Sequence, residues 1–201
     1  MSNKLALFDM DNTLFDYDGQ LRLDLAKLAS PGEPCPFTDN TIDLWDEDTY
    51  PYLKARSSLI TRVPGWWRDL PKFKLGWDVY RIAETLGFMT AILTKGPSSK
   101  AHAWAEKVEC IQNHLGCKAQ INIVGEADDD GFHAKGNVYG RILVDDYPEY
   151  MNSWLKHRPR GLGIVPAKPY NEGYEHPQVI RYDGSNLTAV SYTHLTLPTK
   201  A

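Results

Sequence analysis

Two acidic residues stand one position apart at the end of an apolar run: Asp9 and Asp11 in LALFDMDNTL, Leu5 to Leu14. Burial disfavours an ionised carboxylate, so a strand that ends in two of them has a use for their charge. Three further segments carry matching chemistry. An apolar run ends at Thr94 in AILTKG, Lys135 follows in HAKGN, and another run ends at the pair Asp145 and Asp146 in ILVDDYP. Cleavage of a phosphate ester through a covalent acyl phosphate needs this set. It takes an attacking carboxylate, an acid/base beside it, donors for the phosphoryl oxygens, and a cation that lets two anions meet.

The roles divide by residue type. Asp9 is the candidate nucleophile. Asp11 would protonate the leaving oxygen and later deprotonate the attacking water. Thr94 offers a hydroxyl to a phosphoryl oxygen, and the loop TKGPSS leads to a helix N-terminus, where free N–H groups favour anions. Lys135 would neutralise both the phosphate and the nucleophile. Lys95, Lys100 and Lys118 compete with it, and Lys95 is also a candidate contact to the substrate. Asp145 and Asp146, with Asp9, form a set of hard oxygen donors that favours Mg²⁺ over zinc. A rival reading of the same acids is a strand-end turn with solvated carboxylates. Asp128 to Asp130 are read in that way, and His133 as an exposed loop residue. Cys110, His114 and Cys117 have helical spacing but lack an evident fourth ligand for a metal.

The elements that would position these residues alternate along the chain. Apolar runs span Lys4 to Phe8, Met89 to Leu93, Gln120 to Val124, Arg141 to Val144, Leu162 to Val165 and Val179 to Tyr182. They alternate little in polarity, as strands covered on both faces do. Val79, Ile82, Ala83 and Leu86 recur at helical spacing before Gly87. Ser98 or Ser99 is placed to cap a second helix, whose stripe reads Ala101, Trp104, Ala105, Val108 and Leu115. Pro148 suits the first turn of a third, with Met151, Trp154 and Leu155. The pattern predicts an α/β fold: a doubly wound, Rossmann-like parallel sheet. Ligands bind such sheets beyond the carboxyl ends of the strands. Asp9, Thr94 and Asp145 each read as the first residue after a strand, so they should share one edge.

Residues 15–74 break this rhythm with proline, acids and aromatics, as in SPGEPCPF and RVPGWWRDLPKF. About sixty residues exceed an ordinary connection. They are expected to form a small helical cap inserted after the first strand, with LRLDLAKLA and YLKARSSLI as short helices. The core would then comprise residues 1–14 and 75–190. Trp45, Trp66 and Trp67 could stack on a nucleobase, or they could be the cap's own core. Phe15 is expected to border the pocket. Residues 191–201, SYTHLTLPTKA, do not continue the pattern and read as a non-native tail.

Bulk properties narrow the class. The chain has 201 residues, 42% of them hydrophobic, and a formal net charge of −4. It carries no long basic block, which argues against stable binding to nucleic acid and leaves room for a small phosphorylated substrate, for which a few local cations and a metal suffice. The apolar run at the N-terminus is too short for a signal peptide, and no stretch approaches a membrane span. Cys35, Cys110 and Cys117 form no short-spaced framework. Free thiols in a reducing, cytoplasmic setting are therefore expected.

The order DMDNT, an apolar strand ending in Thr94, Lys135 and then DD resembles the haloacid dehalogenase superfamily of aspartyl-phosphate phosphatases. Within it the chain is most similar to the 5′(3′)-deoxyribonucleotidase-like group. The spacing of Lys135 to Asp145, the DDYP motif, AHAWAEKVECIQNHLG and GIVPAKPYNEG carry that likeness. The resemblance implies Asp9 as nucleophile, Asp11 as acid/base and as a metal ligand through its backbone carbonyl, and Thr94 with Lys135 on the phosphate. It implies Asp145 and Asp146 on Mg²⁺, and a nucleoside monophosphate as substrate. Asn12-Thr13 and Lys95 depart from that group's usual residues, which leaves base and sugar preference open. A polynucleotide end, a sugar phosphate or a phosphoprotein remains an alternative substrate, and a non-catalytic binding module an alternative role. A homodimer is the candidate assembly.

Overall fold

The computed structural model describes residues 4–34, 42–44, 46, 48–125 and 134–196, with side chains as far as residue 191. Cys35, Trp45, Asp128 to Asp130 and His133 lie outside the described residues. The described residues include six strands: β1 (Leu5–Phe8), β2 (Met89–Lys95), β3 (Gln120–Val124), β4 (Ile142–Val144), β5 (Leu162–Pro166) and β6 (Val179–Tyr182). They form one sheet in the order β3-β2-β1-β4-β5-β6, and every pairing is parallel. The helices are α1 (Tyr17–Lys27), α2 (Pro51–Ile60), α3 (Lys74–Thr85), α4 (Ala101–Leu115), α5 (Pro148–Leu155) and α6 (Leu187–Thr196). The expected doubly wound α/β architecture is the one observed.

Alternate residues of the central strands face opposite layers, as the strand period requires. Ala6, Phe8, Ile92, Ile142, Val144 and Ile164 pack with Val79, Tyr80 and Ala83 of α3 and with Ala103, Cys110 and Ile111 of α4. Leu7, Ala91, Leu93, Leu143 and Val165 face the other way, onto Met151, Trp154 and Leu155 of α5. Both faces are thus dry, which is why the strands read as continuous apolar runs. Reversal of strand order on either side of β1 opens a crevice at the carboxyl edge, the usual ligand position in this topology.

Local details differ from expectation in two places. Strand β2 continues through Thr94 to Lys95, paired with Ile123 and Val124 of β3, so Thr94 belongs to the ladder rather than following it. Helix α4 begins after Lys100 with no side-chain cap, so neither Ser98 nor Ser99 performs that task. Its buried residues are Ala103, Lys107, Cys110 and Ile111. The buried stripe is therefore rotated from the expected one and contains a lysine.

The long segment between β1 and α3 contains α1 and α2, with a separate apolar cluster of Leu21, Leu25, Ile42, Leu44, Leu53 and Ile60. Its two ends meet. The Asp16 amide donates to the Pro71 carbonyl and the Phe73 amide to the Leu14 carbonyl, both at 2.8 Å. Phe15 bridges to Lys72 beside this junction. Helix α6 runs through Thr196, across part of the stretch read from sequence as a non-native tail.

Gly76 is where α3 approaches the loop after β1. A Cβ on it would lie 1.7 Å from the Thr13 carbonyl oxygen, a backbone atom that cannot swing away. Gly125, by contrast, has nothing within 4 Å of the same position. Gly76→Ala is expected to cost about 3 kcal/mol of stability through overpacking. Gly125→Ala should stay within about 0.5 kcal/mol. Thermal or urea unfolding of both variants measures the contrast.

Candidate active site

The sheet delivers its chemistry at one edge. Asp9 follows β1, Thr94 lies near the end of β2, and Asp145 follows β4. The Asp9 amide donates to the Val144 carbonyl at 2.9 Å and the Asp145 amide to the Ile164 carbonyl at 3.1 Å, so the ladder fixes both backbones. Lys135 sits in a 3-10 turn, Ala134–Asn137, before β4. Its Nζ lies 2.8 Å from Asp9 Oδ1 and 2.7 Å from Asp145 Oδ2, and all three side chains are buried. The Tyr150 ring covers the same ammonium, with its centroid 4.5 Å away. Burial lowers the Lys135 pKa, but Asp145 and Asp9 more than offset it and hold the group charged.

One carboxylate oxygen from each of Asp9, Asp145 and Asp146 lies within 4.8 Å of the others. Burial is the largest cause raising the pKa of Asp145 and of Asp146, and the adjacent carboxylates add to it. Asp146 is held on several sides. Thr13 Oγ1 donates to Asp146 Oδ1 at 2.8 Å and accepts the Asp146 amide at 3.1 Å. The Tyr170 hydroxyl donates to Asp146 Oδ2, and Asn171 Nδ2 donates to the Asp146 carbonyl at 3.0 Å. Asp145 is differently engaged: Lys135 takes one oxygen and the Tyr147 amide the other, at 3.0 Å.

Asp11 reaches a second buried cation. Lys107 Nζ of α4 lies 2.7 Å from Asp11 Oδ2, and the Asp11 pKa is raised, chiefly by burial and against the pull of Lys107. Asn12 turns the loop with φ 54°, in the left-handed region that Asn tolerates, and its side chain accepts the Asp18 amide at 2.8 Å. Counting the groups in direct contact, Asp9, Asp11, Asp145 and Asp146 face Lys107 and Lys135. Fully ionised, the cluster carries two surplus negative charges, which one divalent ion would balance. Among the described residues these buried carboxylates crowd together without histidine or thiol donors, a set that fits a hard cation such as Mg²⁺.

A cavity of about 1010 Å³ opens over this cluster. Asp9, Asp11, Thr94 and Asp146 form its floor, and Lys95, Tyr147, Tyr150, Lys168 and Tyr170 line it from the core. Tyr17, Asp18, Arg22, Leu44 and Trp67 line it from the segment that carries α1 and α2. Two expected substrate contacts lie elsewhere. Phe15 is fully buried in the core against Trp77 and His114, with ring centroids 6.1 and 5.0 Å away, because the loop after β1 folds its apolar residues inward. Trp66 packs on Tyr17 and donates its indole N–H to Asp24 at 2.9 Å, outside the cavity lining. Trp67 is nearly buried but presents an edge to the cavity. Trp45 lies outside the described residues. Sequence spacing alone does not single out Thr13, Lys107, Tyr170 and Asn171 for contact with the acidic groups.

The surplus charge gives a test by stability. Without divalent ions, Asp146→Asn should raise the melting temperature by a few degrees, because it removes one of the repelling carboxylates. With Mg²⁺ at a hundredfold excess over its dissociation constant, the unmodified protein should gain about 2.7 kcal/mol and the variant much less. Thermal scans with EDTA and with Mg²⁺ report both signs.

No protein-family profile matches the chain. Its sequence is 29% identical over 168 residues to "Putative 5'(3')-deoxyribonucleotidase" of Bordetella bronchiseptica, covering 83% of this chain and 85% of that one. The Bordetella pertussis protein of the same name matches equally. Among solved structures, a HAD family hydrolase from Deinococcus radiodurans, with bound phosphate and sodium, superposes with TM-score 0.52 at 14% identity. It covers 95% of this chain and 88% of that one. A haloacid dehalogenase-like family hydrolase from Xanthomonas campestris gives TM-score 0.51 at 11% identity, over 95% and 97%. The chain has the fold of the haloacid dehalogenase-like hydrolases, and its sequence is similar to proteins that carry the name "Putative 5'(3')-deoxyribonucleotidase".

Proposed function

We propose that the protein is a Mg²⁺-dependent phosphomonoesterase that works through an aspartyl phosphate and acts on nucleoside 5′-monophosphates, deoxyribonucleotides among them. The observation that carries this is the ion-paired trio of Lys135 with Asp9 and Asp145, set beside Asp146 under a cavity of nucleotide size. That arrangement sets a compensating cation beside Asp9, the candidate nucleophile, where an anionic ester would approach. The names of the sequence relatives support the substrate class.

In the first step Asp9 forms a bond to phosphorus as the ester P–O bond breaks, and Asp11 gives its proton to the leaving alkoxide. The raised Asp11 pKa suits a group that must carry that proton. In the second step Asp11 takes a proton from water, which attacks the acyl phosphate. Asp9 is restored and inorganic phosphate released. Thr94 and Lys135 serve the phosphoryl oxygens. Asp9, Asp146 and the Asp11 backbone carbonyl would hold the magnesium, with Asp145 behind them fixing Lys135. Bound there, the ion supplies charge neutralisation between phosphate and nucleophile. The residues of the α1 and α2 segment close the far side of the cavity, where they would act as a cap that excludes water and selects the leaving group. The same reading places the protein in the cytoplasm, with its cysteines as thiols.

The cavity wall weighs against a polynucleotide end as substrate. Asp16, Asp18, Asp43 and Glu149 accompany Arg22, Lys95 and Lys168 there, so no basic track exists among the described lining residues.

A screen of purified protein against nucleoside monophosphates and common metabolite phosphates, with Mg²⁺ and with EDTA, tests the reading. A maximum on one or a few nucleotides that vanishes with EDTA is expected. Equal rates on every ester end the nucleotidase assignment. Asp9→Asn should lose at least about a thousandfold in kcat with the fold intact. An Asn variant at full rate would remove the covalent mechanism.

A further inference from the structure

We propose that Lys107 is a positioning residue for this chemistry: it fixes the Thr94 hydroxyl as a donor into the cavity and pins the Asp11 carboxylate beside it. The inference rests on the phosphatase reading of the site.

Lys107 projects from α4 and has no solvent exposure. Its Nζ lies 2.7 Å from Asp11 Oδ2, 3.0 Å from Thr94 Oγ1 and 2.7 Å from the Lys95 carbonyl oxygen. A lysine ammonium has three N–H groups and no acceptor. All three are engaged, so none remains for a phosphoryl oxygen, and Lys107 is not itself a ligand of the substrate. The consequence falls on Thr94. Its oxygen accepts from Lys107, so its own O–H must donate in another direction, and Thr94 lines the cavity. A hydroxyl that accepts from a cation is also the stronger donor, because linked hydrogen bonds polarise one another.

The surroundings keep this arrangement dry and fixed. The Trp67 ring lies over Nζ, with its centroid 5.0 Å away. That ring is anchored by its indole N–H on the Thr61 carbonyl at 3.0 Å and by its amide on Glu106 at 3.1 Å. Glu106 and Lys107 are neighbours on α4. One holds the wall and the other holds the catalytic groups, so a single helix sets the spacing between them. Lys107 also joins the loop after β1 to the end of β2, the two segments that must close on one phosphate.

The test is a double-mutant cycle read by binding of inorganic phosphate in the presence of Mg²⁺. It compares the unmodified protein, Lys107→Met, Thr94→Val and the double variant by calorimetry. Each single change is expected to weaken phosphate about ten- to a hundredfold, and the double change no more than the worse of the two. Losses that multiply would show that Lys107 does not act through Thr94, and would overturn the proposal. Lys107→Arg is the second variant if Met prevents folding. It keeps the charge against Asp11, but a planar fork cannot serve three converging acceptors. It should fold, as read by circular dichroism, and bind phosphate at least about tenfold more weakly than the unmodified protein. Unchanged affinity in the Arg variant overturns the proposal equally. Hydrolysis of p-nitrophenyl phosphate separates the two levels of failure. An unmodified protein that neither binds phosphate nor cleaves the ester removes the phosphatase reading and this inference together. An active protein with a multiplicative cycle removes only the inference.

Discussion

The buried bridge of Lys135 between Asp9 and Asp145 is the constraint on which the site depends. Two neighbouring strands of an all-parallel sheet, β1 and β4, end side by side, and their ends carry acids into an apolar interior. Such a group of carboxylates would neutralise by taking up protons unless a fixed cation compensated it. One ammonium serves two of them, with a tyrosine ring covering its open side. Asp146 depends instead on hydrogen bonds from Thr13 and Tyr170, which stabilise its charge without cancelling it. The geometry therefore leaves the site underneutralised, and on the proposed reading that surplus would draw a divalent cation and an anionic ester together.

The strands and their ends are legible in the sequence because burial on both faces leaves an unmistakable apolar run that breaks where charge is needed. Asp9, Asp145 and Asp146 can be placed together from that pattern alone, given the rule that ligands sit at the carboxyl edge. Thr94 is legible for a reason that is only partly right. The apolar run stops at its hydroxyl, whereas the ladder continues through Lys95 and the side chain is displayed from within the strand. Lys135 needs its fixed spacing from the acids, since nothing in HAKGN by itself separates a buried lysine from an exposed one.

Lys107 escapes such a reading because a charged residue is normally assigned to the wet face of a helix. Ala103, Lys107, Cys110 and Ile111 are nevertheless spaced as one face, and a lysine in such a face is the signal that a buried acid awaits it. Phe15 fails in the opposite sense. Its position just past the acidic motif suggests a pocket residue, but the loop turns at Asn12 and sends Met10, Leu14 and Phe15 into the core. The tryptophans cannot be sorted by composition. Trp66 and Trp67 are consecutive, yet Trp67 lines the cavity and Trp66 does not, and their indole N–H groups find different acceptors, the Thr61 carbonyl for Trp67 and Asp24 for Trp66.

The junction at Leu14–Asp16 and Pro71–Phe73 has a wider meaning. The chain departs from the sheet and comes back through a single doorway, closed by two backbone hydrogen bonds. The doorway fixes where the excursion leaves and rejoins the sheet, while Glu106 of α4 ties its far end down through the Gly65 and Trp67 amides. In a fold of this build, such a gate lets evolution, or an engineer, splice new material above the acids and change what the cavity admits.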